Sequence, residues 1–290
     1  MNDIIREMIV RKMPFEFPED IPAHWHPENP EWSHMVSGAS LAMPFLEPYL
    51  IRTIRKAFNS IEDQQLQKDV RLYMAQEGQH YQQHRKFNDI LIAKGYTELE
   101  AIEQQMRDEF ASFEKLRSQK FNVGYACGFE SMALGIGHWL IKDREFLFGG
   151  ADSRVSSLIL WHFVEEIEHK NVAFDTYQAL YGKDFSLGYL PSKSYFFRVY
   201  ATLFATLHVV KFSRSAYQAM LKKDGLWSNL KSRWRLLKMT ARFLRSVVPW
   251  VLYACLPGHH PSDVEDPEWY QHWLDTYQDN SDQVVQLNAL

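Results

Sequence analysis

Two copies of the motif Glu-x-x-His in this 290-residue chain, at residues 77–80 and 166–169, are each preceded by a lone glutamate at a similar distance. The first set is Glu47 with Glu77 and His80, and the second is Glu130 with Glu166 and His169. On an α-helix, side chains three positions apart share a face and lie one turn apart, so both side chains of a motif can reach a common point. The pattern therefore predicts two helices that each present a carboxylate and an imidazole to one site.

The spacing between the lone glutamates and the motifs predicts two helical hairpins. The midpoint between Glu47 and Glu77 falls in the turn-forming segment 59–63, and that between Glu130 and Glu166 falls at 148–150. In an antiparallel hairpin, residues equidistant from the turn lie at one height, because both arms rise about 1.5 Å per residue. Two such hairpins would bring four Glu and two His together, as in di-metal carboxylate bundles.

The rest of the chain also shows helical periodicity. We predict helices over 36–58, 62–93, 97–119, 122–147, 153–180, 193–223, 227–255 and 267–279. The fold class is therefore all-α: a ferritin-like four-helix bundle with extra C-terminal helices. The predicted organisation is an irregular segment over 1–35, the di-metal bundle over 36–182, and additional helices with an acidic tail packed on the bundle over 183–290.

Composition excludes several other classes. Two cysteines are too few for a disulfide framework, and neither a secretory signal nor an apolar run of membrane-spanning length is visible, so we expect a cytoplasmic protein. A Gly-x-Ser-x-Gly motif and a Gly-rich phosphate loop are both missing from the sequence. We interpret Cys127 as a packed core side chain rather than a nucleophile.

Charge is unevenly distributed near the C-terminus. Residues 211–245 contain ten Lys or Arg and a single acid, whereas residues 263–290 contain seven acids and no Lys or Arg. We expect the basic helix to be solvated or paired with the acidic tail, and we expect no nucleic-acid partner. The C-terminal helices are expected to form a lid or a homodimer surface, with peripheral membrane contact as the runner-up.

The lone glutamates have alternative interpretations. Glu130 lies in the segment 124–135, which has no other charge, and an unpaired buried carboxylate costs several kcal/mol, so it needs a metal or a cation. A salt bridge to Lys or Arg is the alternative. Glu47 lies between Pro44 and Pro48, where a role at a helix N-terminus is the alternative.

These motifs resemble those of a family labelled "predicted metal-dependent hydrolase". The resemblance rests on Gln76-Glu77-Gly78-Gln79-His80, on Glu165-Glu166-Ile167-Glu168-His169-Lys170-x-Val172-Ala173-Phe174-Asp175 and, more loosely, on Leu256-Pro257-Gly258-His259-His260-Pro261. It extends through His84 and Asn88 and covers most of the chain. The resemblance implies a metal-dependent protein, with a hydrolase label.

A second resemblance concerns the ligand pattern. Diiron arylamine N-oxygenases are similar in carrying an extra histidine one turn before the last Glu-x-x-His, and His162 occupies that place here. Positions 162, 166 and 169 form one helical stripe, so His162 is either a seventh ligand or a core histidine bonded to a carboxylate. The expected metal ligands are Glu47, Glu77, His80, Glu130, His162, Glu166 and His169.

Other polar residues near the motifs receive secondary roles. We expect His84 to lie behind the ligands or on the helix face, and Asp89 and Asp175 to be candidates for hydrogen bonds to the ligand histidines. Glu165 and Glu168 are expected to face solvent or Lys170.

The predicted activity is that of a non-haem di-iron oxygenase or oxidase, N-oxygenase- or hydroxylase-like, acting on a small organic substrate. Two iron ions are the expected cofactor, with manganese as the alternative metal, and O₂ and an external electron donor are the expected partners. Glu77 and Glu166 would lie between the metals, Glu47 and His80 would complete one, and Glu130, His169 and His162 the other. The alternatives are a hydrolase that uses a metal-bound water and a non-catalytic ferritin-like iron-binding protein.

Overall fold

A computed structural model describes residues 8–186 and 190–277 of the chain, and this part is an all-α helical bundle, as predicted. The helices are α1 (Pro30–Ser40), α2 (Met43–Ala57), α3 (Gln64–Ala93), α4 (Glu98–Leu116), α5 (Gln119–Lys142), α6 (Arg144–Phe148), α7 (Ser153–Glu168), α8 (Val172–Tyr181), α9 (Lys193–Lys223), α10 (Leu230–Ala254) and α11 (Glu268–Tyr277). Short 3-10 turns cover Phe58–Ser60 and Pro261–Asp263. A small antiparallel ribbon pairs β1 (Phe185–Ser186) with β2 (Leu190–Pro191), with Phe185 opposite Pro191.

Two antiparallel hairpins form the centre of the bundle. In the first, Ser40, just before α2, contacts Asn88 near the end of α3, and Phe58, just after α2, packs under the guanidinium of Arg71 near the start of α3. The helices α2 and α3 therefore run in opposite directions. The second hairpin packs α5 against α7 and α8. Asp63, Ser118 and Asp152 cap the N-termini of α3, α5 and α7 by accepting hydrogen bonds from backbone amides, which fixes where these helices begin.

Three of the predicted helices are interrupted. The helix predicted over 36–58 is two helices, because α1 ends at Ser40 and α2 begins at Met43, with Pro44 in its first turn. The helix predicted over 122–147 breaks at Asp143, and the one over 153–180 breaks after Glu168. His169 is the C-terminal cap of α7 and leaves the helical conformation.

The N-terminal segment contributes to the core. Residues 8–29 form neither helix nor strand, yet the side chains of Arg11, Phe15, Ile21 and Trp25 are buried. The prediction of an irregular segment up to residue 35 is too long, since α1 begins at Pro30. This segment runs along the middle of α3, where Gln76 and Gln83 donate to the carbonyls of Ile9 and Met13, and its Arg11 contacts the C-terminal end of α7.

Glycines allow α9 and α10 to lie close to the bundle. A Cβ added at Gly128 of α5 would lie 2.5 Å from the Cα of Thr202, and one at Gly135 would lie 2.6 Å from the Cβ of Trp250. Gly38 of α1 meets α9 in the same way, at 2.7 Å from the carbonyl oxygen of Ser213. Larger residues at these positions would push the two C-terminal helices away from α1 and α5.

The basic helices pair with acids other than those expected. Within the described residues, Lys211, Arg235 and Arg242 form ion pairs with Glu109, Glu31 and Asp143, which belong to α4, α1 and the α5–α6 junction. Asp266 of the acidic tail instead pairs with Lys170. None of these ion pairs joins the basic segment to the tail, whereas Lys231 and Lys238 are exposed to solvent, as the other alternative predicted; residues 278–290 lie outside the described part.

None of the helices within 8–186 and 190–277 combines the length and apolarity that a membrane crossing requires.

Candidate metal centre

Seven titratable side chains from four helices meet inside the bundle. The helix α2 brings Glu47, α3 brings Glu77 and His80, α5 brings Glu130, and α7 with its C-terminal cap brings the remainder. All seven are at most 3% exposed: Glu47, Glu77, His80, Glu130, His162, Glu166 and His169. The geometry thus brings together every residue that the sequence proposed as a ligand.

The seven side chains form two adjoining groups. Within each group the candidate ligand atoms all lie within 4.8 Å of one another; the groups are Glu47 with His80 and His162, and Glu77 with Glu130, Glu166 and His169. The structure therefore groups His162 with Glu47 and His80. This differs from the sequence-based partition, which assigned His162 to the metal of Glu130 and His169.

Two carboxylates connect the groups. Oε1 of Glu77 lies 3.7 Å from Nδ1 of His80 in one group and 3.2 Å from Nε2 of His169 in the other. Glu166 does the same with its two oxygens, since Oε1 is 2.8 Å from Nε2 of His162 and Oε2 is 3.3 Å from Nε2 of His169. Both glutamates are in positions from which a carboxylate can bridge two ions.

His80 is oriented by an ion pair behind it. Its Nε2 donates to Oε2 of Glu165 over 2.9 Å, so its Nδ1 faces Glu77. Glu165 also accepts from Nη1 of Arg11 at 2.9 Å and from the indole of Trp161 at 3.0 Å. Burial lowers the pKa of His80, but the bonds to Glu165 and Glu77 outweigh it and raise the pKa to about 9 in the metal-free protein. Metal binding at Nδ1 would thus displace a proton.

His169 is oriented by an amide. Gln76 donates from Nε2 to the backbone carbonyl of Ile9 at 3.0 Å and to Glu168 at 2.7 Å, so its Oε1 is left to accept. That oxygen lies 3.1 Å from Nδ1 of His169. The ring therefore donates through Nδ1 and directs Nε2 at the carboxylates.

His162 is oriented by a chain of hydrogen bonds whose direction can be assigned. The amide of Asn88 donates to the carbonyl of Ser40, so its Oδ1 accepts from the hydroxyl of Ser40 over 2.7 Å. Because the hydroxyl is used there, His84 donates to it through Nδ1 over 2.8 Å. Nε2 of His84 then accepts from Nδ1 of His162 over 2.7 Å, which leaves Nε2 of His162 facing Glu47 and Glu166.

The carboxylates lack the donors that buried anions need. Among the described residues, both oxygens of Glu47, both of Glu77 and Oε2 of Glu130 are buried without a hydrogen-bond partner. Burial and the neighbouring carboxylates raise the pKa of Glu47 and of Glu130 well above the ordinary value. Such a cluster is costly unless cations neutralise it, so the donor set fits two divalent ions.

The alternatives for the lone glutamates are wrong. Glu47 does not cap α2, whose N-cap is Ala42 and has no side-chain cap bond, and Pro48 is accommodated inside this helix. Glu130 accepts a 2.7 Å hydrogen bond from the hydroxyl of Tyr73 and lies 3.5 Å from His169, so its neighbours are these two rather than a Lys or Arg.

Two expectations about neighbouring acids are also wrong, and the two candidates Asp89 and Asp175 have other partners. Glu165 and Glu168 face inward, where Arg11 holds them, and not towards solvent or Lys170. Asp89 is 60% exposed beside Arg85, and Asp175 bonds His260. Their places behind the histidines are taken by Glu165 and by Gln76.

Sequence reasoning missed Arg11, Gln76 and Tyr73. A signal existed for Gln76, because it precedes Glu77 as Glu165 precedes Glu166, and each of these leading residues holds the histidine of the other motif. Arg11 lies in an irregular segment, where periodicity gives no indication of its contacts.

An apolar cavity of about 800 Å³ connects the site with the outer helices. Glu166, His162 and His84 lie at its inner end, and its walls come from α1, α5, α7, α9 and α10. Examples of the wall residues are Phe129, Met132, Ile136, Trp139 and Phe163. A small apolar molecule could approach the centre by this route.

Comparison with known proteins gives a family. The model of a family described as "Predicted metal-dependent hydrolase" matches residues 9–265, and the chain belongs to that family. Searches of curated proteins and of solved structures returned no match.

Proposed function

We propose that this member of the predicted metal-dependent hydrolase family binds two transition-metal ions and is an oxygen-dependent oxidase or oxygenase. Glu47, His80 and His162 would hold one ion, and Glu130 and His169 the other, with Glu77 and Glu166 between them. One observation carries the proposal: three histidines, each fixed through its second ring nitrogen, face four buried carboxylates, and five of the eight carboxylate oxygens lack a hydrogen-bond partner among the described residues.

The arrangement supports a ferritin-like interpretation of the bundle. Ferritin-like di-metal proteins take one glutamate from each of two helices and a Glu-x-x-His from each of two others. Here Glu47 and Glu130 are the lone glutamates on α2 and α5, and the two motifs lie on α3 and at the end of α7. His162 is an addition to this set.

The donor atoms favour iron or manganese. Carboxylate oxygens with imidazole nitrogens suit these ions, whereas structural zinc sites commonly use sulfur and four ligands. When bound, an iron pair supplies two-electron reduction of O₂ coupled to oxidation of a substrate, and an external electron donor would be needed to restore the reduced pair.

The protein's own residues suit such chemistry. The ligands are at most 3% exposed, so they are shielded from bulk water, and the cavity that reaches Glu166 is lined mainly by apolar side chains. Arg11 pairs with Glu165 and Glu168 behind the site, so its positive charge offsets part of the negative charge of these two carboxylates. A small organic substrate with an apolar body fits this environment.

Metal-dependent hydrolysis is the second candidate, and the family description favours it. In that case a redox-inactive pair such as zinc or manganese would activate water, and the same seven residues would hold the ions. A non-catalytic iron-binding role is the third candidate.

Metal loading and oxygen consumption distinguish the three. We expect the full-length protein, loaded with ferrous salt under nitrogen, to bind two irons per chain and to consume O₂ when a reductant is supplied. His169→Gln is the control, because it removes one nitrogen ligand. Hydrolysis of an ester or amide by the zinc or manganese form, without oxygen consumption by the iron form, would support the hydrolase. Two bound irons with neither activity would support the non-catalytic binding role. Binding of fewer than one metal per chain would overturn the two-metal proposal.

A further inference from the structure

The cavity that leads to the candidate metal centre has cations at its outer side and none of the acids that would neutralise them. Besides Glu166 and the two histidines at its inner end, the charged residues that line it are Arg214 of α9 and Arg233 of α10, and both are exposed. Its polarity therefore changes from apolar walls to a positively charged opening.

The basic residues of α9 and α10 are of two kinds, those paired with an acid of the bundle and those without a carboxylate partner among the described residues. Lys211, Arg235 and Arg242 each form an ion pair with an acid of the bundle. Neither Arg214 nor Arg233 has a carboxylate partner within the described residues. Because unpaired guanidinium groups at an opening bind anions well, their position points to a negatively charged group on the molecule that occupies the cavity.

The walls between the two ends suit an apolar chain. Met132, Ile136, Trp139 and Leu140 of α5 and Phe243 of α10 line this part. The opening continues the apolar character, since Trp234 is 57% exposed and Leu230 80% exposed. A ligand with an apolar body would therefore be in contact with apolar side chains from the opening to the inner end.

We propose that the cavity binds an amphiphile with a linear apolar chain and an anionic head, a carboxylate or a phosphate. The head lies at Arg214 and Arg233, and the chain extends towards Glu166 and His162. This rests on the proposed function only in identifying the inner end as the reactive end. Under that function, the position oxidised is on the chain and remote from the head.

Binding of defined amphiphiles tests the proposal without requiring activity. Isothermal titration of the full-length metal-free protein with monomeric dodecanoate, dodecanol and dodecylamine should show dodecanoate binding most tightly, by about fivefold or more over dodecanol. Each methylene removed from the carboxylate should weaken binding by roughly threefold to fourfold, because each loses its burial in the cavity. Equal affinity for the acid, the alcohol and the amine, or no dependence on chain length, would overturn it.

Two variants locate the head. Arg214→Gln and Arg233→Gln should each weaken dodecanoate binding by about fivefold and leave dodecanol binding unchanged. Lys231→Gln is the matched control, since Lys231 is an exposed cation of α10 that does not line the cavity. An equal effect of Lys231→Gln would contradict the assignment of the head to the two arginines.

The source of the amphiphile is tested separately. If the protein floats with phosphatidylglycerol vesicles and the two arginine variants float less, the head is that of a membrane lipid. If the protein binds dodecanoate but does not float, the ligand is a free acid. Either result supports an anionic head. Metal content, measured on a portion of the same preparation after loading with ferrous salt under nitrogen, separates the two proposals. Two metals bound without any dodecanoate binding defeats only this inference, and dodecanoate binding without metals defeats only the proposed function.

Discussion

Glu165 and His80 are joined by a 2.9 Å hydrogen bond across two helices, and the bond has a counterpart between Gln76 and His169 at 3.1 Å. In each case the residue that precedes the glutamate of one motif orients the histidine of the other motif. The two hairpins therefore exchange support as well as ligands. The supports differ in charge, because Glu165 is a carboxylate neutralised by Arg11 and Gln76 is an amide.

Replacing this carboxylate should weaken metal binding without removing a ligand. We expect Glu165→Gln to lower metal affinity by about 10- to 100-fold, because one amide oxygen cannot accept from His80 while it also accepts from Arg11 and Trp161, and the negative charge beside the ring is lost. Competition with a chelator measures the effect. Glu145→Gln serves as the control, as Glu145 is 75% exposed on α6. Unchanged affinity in Glu165→Gln would show that His80 does not bind metal.

Removing one buried carboxylate should have opposite effects with and without metal. Glu47→Gln should raise the unfolding midpoint of the metal-free protein, since it relieves repulsion among buried carboxylates. It should also remove most of the gain of about 5 to 10 °C that metal at 100 times its Kd gives the wild type. Thermal unfolding with and without metal measures both effects. If the variant is less stable than the wild type in both states, Glu47 has a structural role instead.

The hydrogen-bond chain behind His162 predicts a coupled loss. Ser40→Ala removes the acceptor of His84 and the donor to Asn88, both buried, and should cost about 1 to 3 kcal/mol in urea unfolding. It should also weaken the binding of one of the two metal ions more than that of the other, because His162 is the only proposed ligand that this hydrogen-bond chain orients. Ser215→Ala is the control, an exposed hydroxyl that donates to a backbone carbonyl of α9. An equal loss of affinity for both metal ions would argue against the proposed role of this hydrogen-bond chain.

Two adjacent histidines away from the site should respond to pH in opposite directions. Burial and the charge of Arg198 lower the pKa of His259 from 6.5 to about 4, so the unfolded chain binds a proton that the folded one does not. Stability should therefore fall by about 2 kcal/mol as pH falls from 6.5 to 4, and His259→Gln should remove this loss.

His260 is the matched control. Its hydrogen bond to Asp175 raises its pKa above 6.5 in the folded protein. Its contribution to folding stability is therefore complete below pH 6.5 and is lost as the pH rises through the folded-state pKa. His260→Gln should thus lower stability at pH 5 and have no effect at pH 9. Urea unfolding across this range measures both variants, and parallel profiles for the two would refute the assignment.

The sequence by itself determined that the chain is helical and that four glutamates and the two motif histidines meet, whereas His162 was added through the resemblance to the diiron N-oxygenases. Helical periodicity is a local property, and the fixed rise per residue places Glu47 level with the motif of α3 once the turn at Phe58–Ser60 is recognised. The same arithmetic brings Glu130 to the motif at Glu166. These inferences need only the chain's own spacing, so they did not depend on knowing the packing.

Only the tertiary structure decided how the site is supported and reached. Whether Glu165 faces inward depends on Arg11, which is 154 residues away in a segment without periodicity, and spacing carries no information about such a contact. Packing between elements distant in sequence likewise decides three other features. These are the position of His162 beside Glu47, the breaks that separate α1 from α2 and α7 from α8, and the cavity between α5, α9 and α10. Local periodicity fixes which faces are apolar, whereas close packing between those faces fixes the partners.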